Sequence, residues 1–112
     1  MNTHIFGNQG ETLAKQYLIK NKYKILETNY KNTIGEIDII AKDKDTIVFV
    51  EVKARNSTRF GLPREAVTPY KQNKIHKVAL GYLKFTHNIN AKIRFDCIEV
   101  LGDEVTQIKN CF

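Results

Sequence analysis

The chain has 112 residues, 42% of them hydrophobic and 27% charged, with a formal charge of +6. That length supports one hydrophobic core and is read as a single domain, 1–112. No apolar run approaches the roughly 20 residues of a membrane-crossing helix, and the first residues lack the basic start and long apolar stretch of a secretory leader, so a soluble, cytoplasmic protein is expected.

The first predicted element is an amphipathic helix over 8–21, with Leu13, Ala14, Tyr17 and Leu18 at helical spacing and Asn21 as its terminator. Glu11 precedes Ala14 by three residues and Leu18 by seven, which puts it on the face turned toward the core. It reads equally as a site carboxylate or as a first-turn glutamate complementing the helix dipole. Three strands are expected next, at 24–30, 34–41 and 46–54, the last two joined by the polar turn Lys42 to Asp45. Asn56, Ser57, Thr58, Gly61 and Pro63 make 55–64 a loop. Thr68-Pro69 then supplies an N-cap and a first-turn proline for a helix over 69–87. Its apolar stripe is Ile75, Val78, Ala79, Tyr82 and Thr86, with the lysines largely off it. Strands at 92–100 and 105–109 close the chain around Gly102-Asp103. Cys97 alternates with Phe95 and reads as core. With no CxxC or other framework, Cys97 and Cys111 are both expected to be free thiols in a reducing compartment. Asp96 reads as a structural strand residue or a group behind the site, and the three histidines show no ligand spacing. The element order of helix, three strands, helix and two strands gives an α/β fold, a mixed central sheet flanked by helices.

The charge is not evenly distributed. Residues 55–87 carry seven basic side chains, Arg55, Arg59, Arg64, Lys71, Lys74, Lys77 and Lys84, against the single acid Glu65, while the rest of the chain is neutral. Clustering of this kind marks either a solvated helix face or a surface for a polyanion; the segment directly follows a group of carboxylates, which favours the second.

Those carboxylates lie on the two middle strands. Alternation puts Glu51 and Lys53 on one face of their strand and Glu36 and Asp38 on one face of the preceding one. A symmetric hairpin closed by 42–45 would set Glu36 opposite Glu51, with Asp38 on the diagonal at roughly 7–8 Å. Like charges opposed on a sheet destabilise it, and the flanking Ile37, Ile39, Ile40, Val48, Val50 and Val52 indicate strands buried on both faces. A divalent cation would offset that repulsion. Mg²⁺ or Mn²⁺ takes one or two carboxylates and completes its shell with water and phosphate, and Asp38 and Glu51, with Glu36 or Glu11 beside them, suit the role. Lys53 would then stabilise charge on the reacting phosphate. A half-exposed antiparallel strand with alternating charges is the competing reading.

Asp38 followed after thirteen positions by Glu51-Val52-Lys53 resembles the PD-(D/E)xK superfamily of restriction-endonuclease-like nucleases, although Ile37 stands where the superfamily name has proline. Gly10-Glu11 through Ala14, Gly35 to Ala41, Phe49 to Arg55 and Phe60 to Val67 together resemble the YraN family of small bacterial endonuclease-like proteins. The arrangement is also similar to that of archaeal Holliday junction resolvases, whose helix glutamate, strand aspartate and Glu-x-Lys strand correspond to Glu11, Asp38, Glu51 and Lys53. The resemblance implies an αβββαβ core, a Mg²⁺ or Mn²⁺ site and hydrolysis of DNA, in resolvase fashion on branched substrates by a homodimer. Arg55, Arg59, Arg64, Lys71, Lys74 and Lys77 are the expected nucleic-acid contacts. A nucleic-acid-binding adaptor that no longer cleaves is the alternative. An RNA-directed enzyme, with Phe60 and Tyr70 as stacking residues, is a third reading.

Overall fold

The structure is a computed structural model that describes residues 3–55 and 67–112, with the side chains of the first helix described from Gln9 onward. The expected loop, including Arg59, Phe60 and Arg64, lies largely outside the described residues. Helix α1 (Thr3–Lys20) is followed by strands β1 (Lys24–Lys31), β2 (Glu36–Asp43) and β3 (Thr46–Arg55), helix α2 (Pro69–Phe85), and strands β4 (Lys92–Leu101) and β5 (Glu104–Ile108). The element order matches the sequence reading, with most ends shifted by one or two residues. The start of α1 differs most, lying five residues before the expected one.

The five strands form one sheet in chain order, antiparallel except for β3 and β4, which run parallel and are connected through α2. This is the α/β, restriction-endonuclease-like core with a helix on each face of a mixed sheet. On one face α1 buries Ala14 and Leu18 against Ile39, Val48, Val50, Ile98 and Val100. On the other, α2 buries Ile75, Val78, Ala79, Tyr82 and Leu83 against Ile37, Ile40, Phe49 and Cys97. The middle strands are therefore apolar on both sides, as such a sheet requires. Thr68 caps α2 by accepting the Lys71 amide at 3.2 Å, and Thr86 sits at the C-cap instead of in the apolar stripe.

Gly10 lets α1 approach the sheet. A Cβ there would lie 2.6 Å from the Cβ of Ala54, so any larger residue would lift the helix, and Glu11 with it, off β3.

The β2–β3 hairpin corrects one expectation. Its turn is the two residues Lys44-Asp45, with Lys44 in the left-handed region at φ 57°, and Lys42 and Asp43 continue the strand. Ile39 pairs with Val50 and Asp43 with Thr46, a register that, continued past its last pair, leads Asp38 and not Glu36 toward Glu51. Asp43 reads as a turn residue but is held in the strand, its carboxylate 3.3 Å from the Arg94 guanidinium.

A second correction concerns the cysteines. After β5 the chain folds back along β4, the Cys111 amide donates to Phe95 O at 2.8 Å, and Cys97 and Cys111 form a disulfide with Cα atoms 5.8 Å apart. The thiols are therefore not free. Their partnership depends on this return of the tail, which spacing in the sequence does not reveal.

Candidate active site

Two departures from regular sheet geometry create a cleft at one end of the middle strands. The β2–β3 ladder stops at Ile39 and Val50, and the Val52 amide donates to Asp38 Oδ2 at 2.9 Å instead. Ile37 and Ile40 both enter the α2-side core while Ile39 enters the α1-side core, so strict alternation breaks around Asp38. Asp38 consequently borders two depressions. One, on the α1 side, is also lined by Glu11, Lys15 and Asn29. The other, on the α2 side, is also lined by Glu36, Glu51, Lys71 and Lys74 and has a volume of about 280 Å³.

The carboxylates influence one another electrostatically. Glu51 is 3% exposed, and burial together with the Asp38 carboxylate beside it pushes its carboxyl up to about 8, against the opposing pull of Lys71. Glu11 is also raised, by burial and then by the negative charge of Asp38. With the Asn29 amide assigned from its hydrogen-bonding neighbours so that the nitrogen faces α1, it donates to both Glu11 oxygens at 2.9 and 3.3 Å. Asp38 is thus the middle member of a row of three carboxyl groups. Glu36 stands at the rim, exposed and 3.5 Å from Lys31.

Two lysines face this row. Lys53 is half-buried, and its ammonium is lowered by burial and by the nearby Lys71. Lys71 reaches from the first turn of α2 to within 3.5 Å of Glu51 Oε2. Sequence reasoning placed Lys71 among surface phosphate contacts. Its position four residues before Ile75 and seven before Val78 was the available signal, since that spacing puts it on the buried stripe.

The remaining basic residues divide. Lys74 lines the α2-side cleft and lies over the Tyr70 ring at 5.3 Å, and Lys77 is exposed on the same helix. Arg55 is not brought to this surface: its side chain is 10% exposed and packs against Glu99 at 3.4 Å. His76 stacks on Phe112 and belongs to an aromatic cluster with Phe95.

The donor set fits a hard divalent cation. Among the described residues no three metal-ligating side chains already surround a common point. Mg²⁺ does not require that, because it retains waters and takes phosphate oxygens beside one or two carboxylates. Asp38 and Glu51 are the pair best placed to hold it, and the strongly raised Glu51 carboxyl marks a deficit of positive charge between them. Glu11 offers a further carboxylate from the opposite side of Asp38.

Fold and site together define an α/β, restriction-endonuclease-like domain with an acidic, lysine-flanked cleft where its middle strands part. The chain belongs to the family described as uncharacterised protein family UPF0102, whose model matches residues 10–100. This is the YraN family that the motifs resemble. It is 49% identical to a UPF0102 protein of Desulfosudis oleivorans over 96% of this chain and 89% of that protein. It is 48% identical to one of Fusobacterium nucleatum over 98% and 92% of the two chains, and 53% identical to one of Caldanaerobacter subterraneus over 89% and 82%.

Proposed function

We propose that this protein is a nuclease that hydrolyses phosphodiester bonds in DNA with the help of Mg²⁺ or Mn²⁺. The observation that carries the reading is the row Glu11, Asp38, Glu51, whose carboxyl groups repel one another at the point where β2 leaves β3, with Lys53 and Lys71 beside them. Such a row is unfavourable in the protein alone and favourable around a cation. When bound, that cation would lower the pKa of a coordinated water and polarise a phosphoryl oxygen.

The chain's own groups have separable tasks. Asp38, held by the Val52 amide, and Glu51, held by Lys71, present oxygens in a fixed direction. Lys53 follows Glu51 by one strand repeat, so its ammonium reaches the same side of the cleft and stabilises negative charge that grows on the phosphate. Lys71 and Lys74 give the α2 wall a positive charge that attracts the backbone of any sequence. A cytoplasmic protein acting on branched DNA as a homodimer is the form this reading favours, because one cleft addresses one strand at a time.

The test is cleavage of supercoiled, single-stranded and branched DNA in Mg²⁺, Mn²⁺ or EDTA, beside the Glu51→Gln and Lys53→Ala variants. The expected result is a metal-dependent product that both variants lose. No product with either metal, or activity surviving in both variants, would sink the proposal. Salt-dependent DNA binding without product would instead identify a non-cleaving adaptor.

A further inference from the structure

We infer that Asn29 is a positioning residue, which holds the Glu11 carboxylate against Asp38 and so sets the α1 side of the cleft. The inference rests on the metal-dependent reading above. Asn29 has φ 52°, a left-handed conformation, in the middle of β1. Thr28 pairs with Ile39 and Tyr30 with Ile37, which sets Asn29 opposite Asp38 without any slip in register. The strand's one shift of register lies between Ile25 and Glu27, four and two residues before Asn29. The backbone aims the side chain at α1, where the amide, with its nitrogen assigned toward Glu11, donates to both oxygens of that carboxylate.

The chemistry explains the residue type. Asparagine tolerates the left-handed region better than most side chains, and its NH₂ is a neutral donor. An acid in its place would repel both Glu11 and Asp38, and an alanine would keep the backbone cost without the bond. Strain kept beside a candidate site and tied to a carboxylate there fits a positioning role. Outer groups of this kind orient metal ligands and affect metal affinity without touching the ion.

The test uses Asn29→Gly, because glycine adopts the left-handed backbone freely and removes only the amide. Urea unfolding in EDTA of the wild type, Asn29→Gly, Glu11→Ala and the double variant forms a cycle. A coupling of about fivefold in the folding constant is expected. Calorimetry with Mn²⁺ alone should show Asn29→Gly folded and binding about tenfold more weakly than the wild type. A purely conformational role predicts that glycine matches the wild type in both measurements, and either an additive cycle or unchanged Mn²⁺ affinity would overturn the inference. If the wild-type protein binds no Mn²⁺, the metal reading fails, and the cycle alone decides whether Asn29 holds Glu11.

Discussion

Glu51 and Asp96 are both buried carboxylates on adjacent parallel strands, Asp96 pairing in register with Val50 next to Glu51, yet their surroundings are opposite. Asp96, fully buried, accepts from Arg94 Nε at 2.9 Å, Arg94 Nη2 at 2.9 Å, Gln107 Nε2 at 2.9 Å and the Asn110 amide at 3.1 Å. The Arg94 guanidinium is completed by Tyr23 at 2.7 Å and Asp43 at 3.3 Å, and its pKa is raised, chiefly by its bonds to Asp96. Glu51 meets another carboxylate and a lysine 3.5 Å away, and is pushed up to about 8. Equal burial therefore separates two uses of an acid. Where the partners complete its bonds, as at Asp96, the acid ties β4, β5 and the tail together; where they leave it short of positive charge, as at Glu51, it is suited to a ligand that brings some.

The contrast can be broken by substitution. Glu51→Gln and Asp38→Asn should each lower DNA cleavage by at least about 10²-fold while leaving the fold intact, because each removes charge from a repelling pair; product assays beside thermal melts check both halves. Asp96→Ala should do the reverse, costing about 3–5 kcal/mol in urea unfolding because it strands a buried guanidinium. A melt as high as wild type for Asp96→Ala would remove the distinction.

Glu51 also makes stability depend on pH. Because the folded-state pKa of Glu51 is raised from 4.5 to about 8, the folded protein binds more protons than the unfolded chain in that window. Its contribution to stability is therefore most favourable below about 4.5 and is lost as pH rises through 8. The difference is on the order of a few kcal/mol in EDTA. Denaturant titrations across this range should show stability falling with pH in the wild type, a flatter profile in Glu51→Gln, and partial recovery with Mn²⁺. The smallest effect is expected on the α2 wall: Lys74→Gln should reduce the salt slope of DNA binding by about 1 and leave melting unchanged, as fluorescence anisotropy over a salt series would show.

The parts of this picture legible in the sequence are those set by local rules. The N-cap and proline at 68–69, the apolar stripes and the alternation in β3 placed nearly every element. They also put Glu36, Asp38, Glu51 and Lys53 on a common face. The hairpin register was not legible, because Lys42 and Asp43 are as polar as the turn itself and Arg94, 51 residues away, helps hold Asp43 in the strand. The contact of Lys71 with Glu51 was not legible, because it depends on how α2 packs across β3. Asn29 gave no signal, since its left-handed backbone and its reach to Glu11 exist only once α1 lies across β1.

The sequence by itself determined an α/β domain with two helices, an acidic pair of central strands and a basic second helix, because each follows from residue periodicity and charge order. Tertiary structure decided which acids meet and which are neutralised. Those outcomes depend on how far two strands part, how closely Gly10 lets α1 approach, and where the tail returns to join Cys111 to Cys97. Electrostatic character is fixed by distances of a few ångströms between residues far apart in the chain, so the same carboxylate in the same strand pattern becomes a brace at Asp96 and a candidate ligand at Glu51.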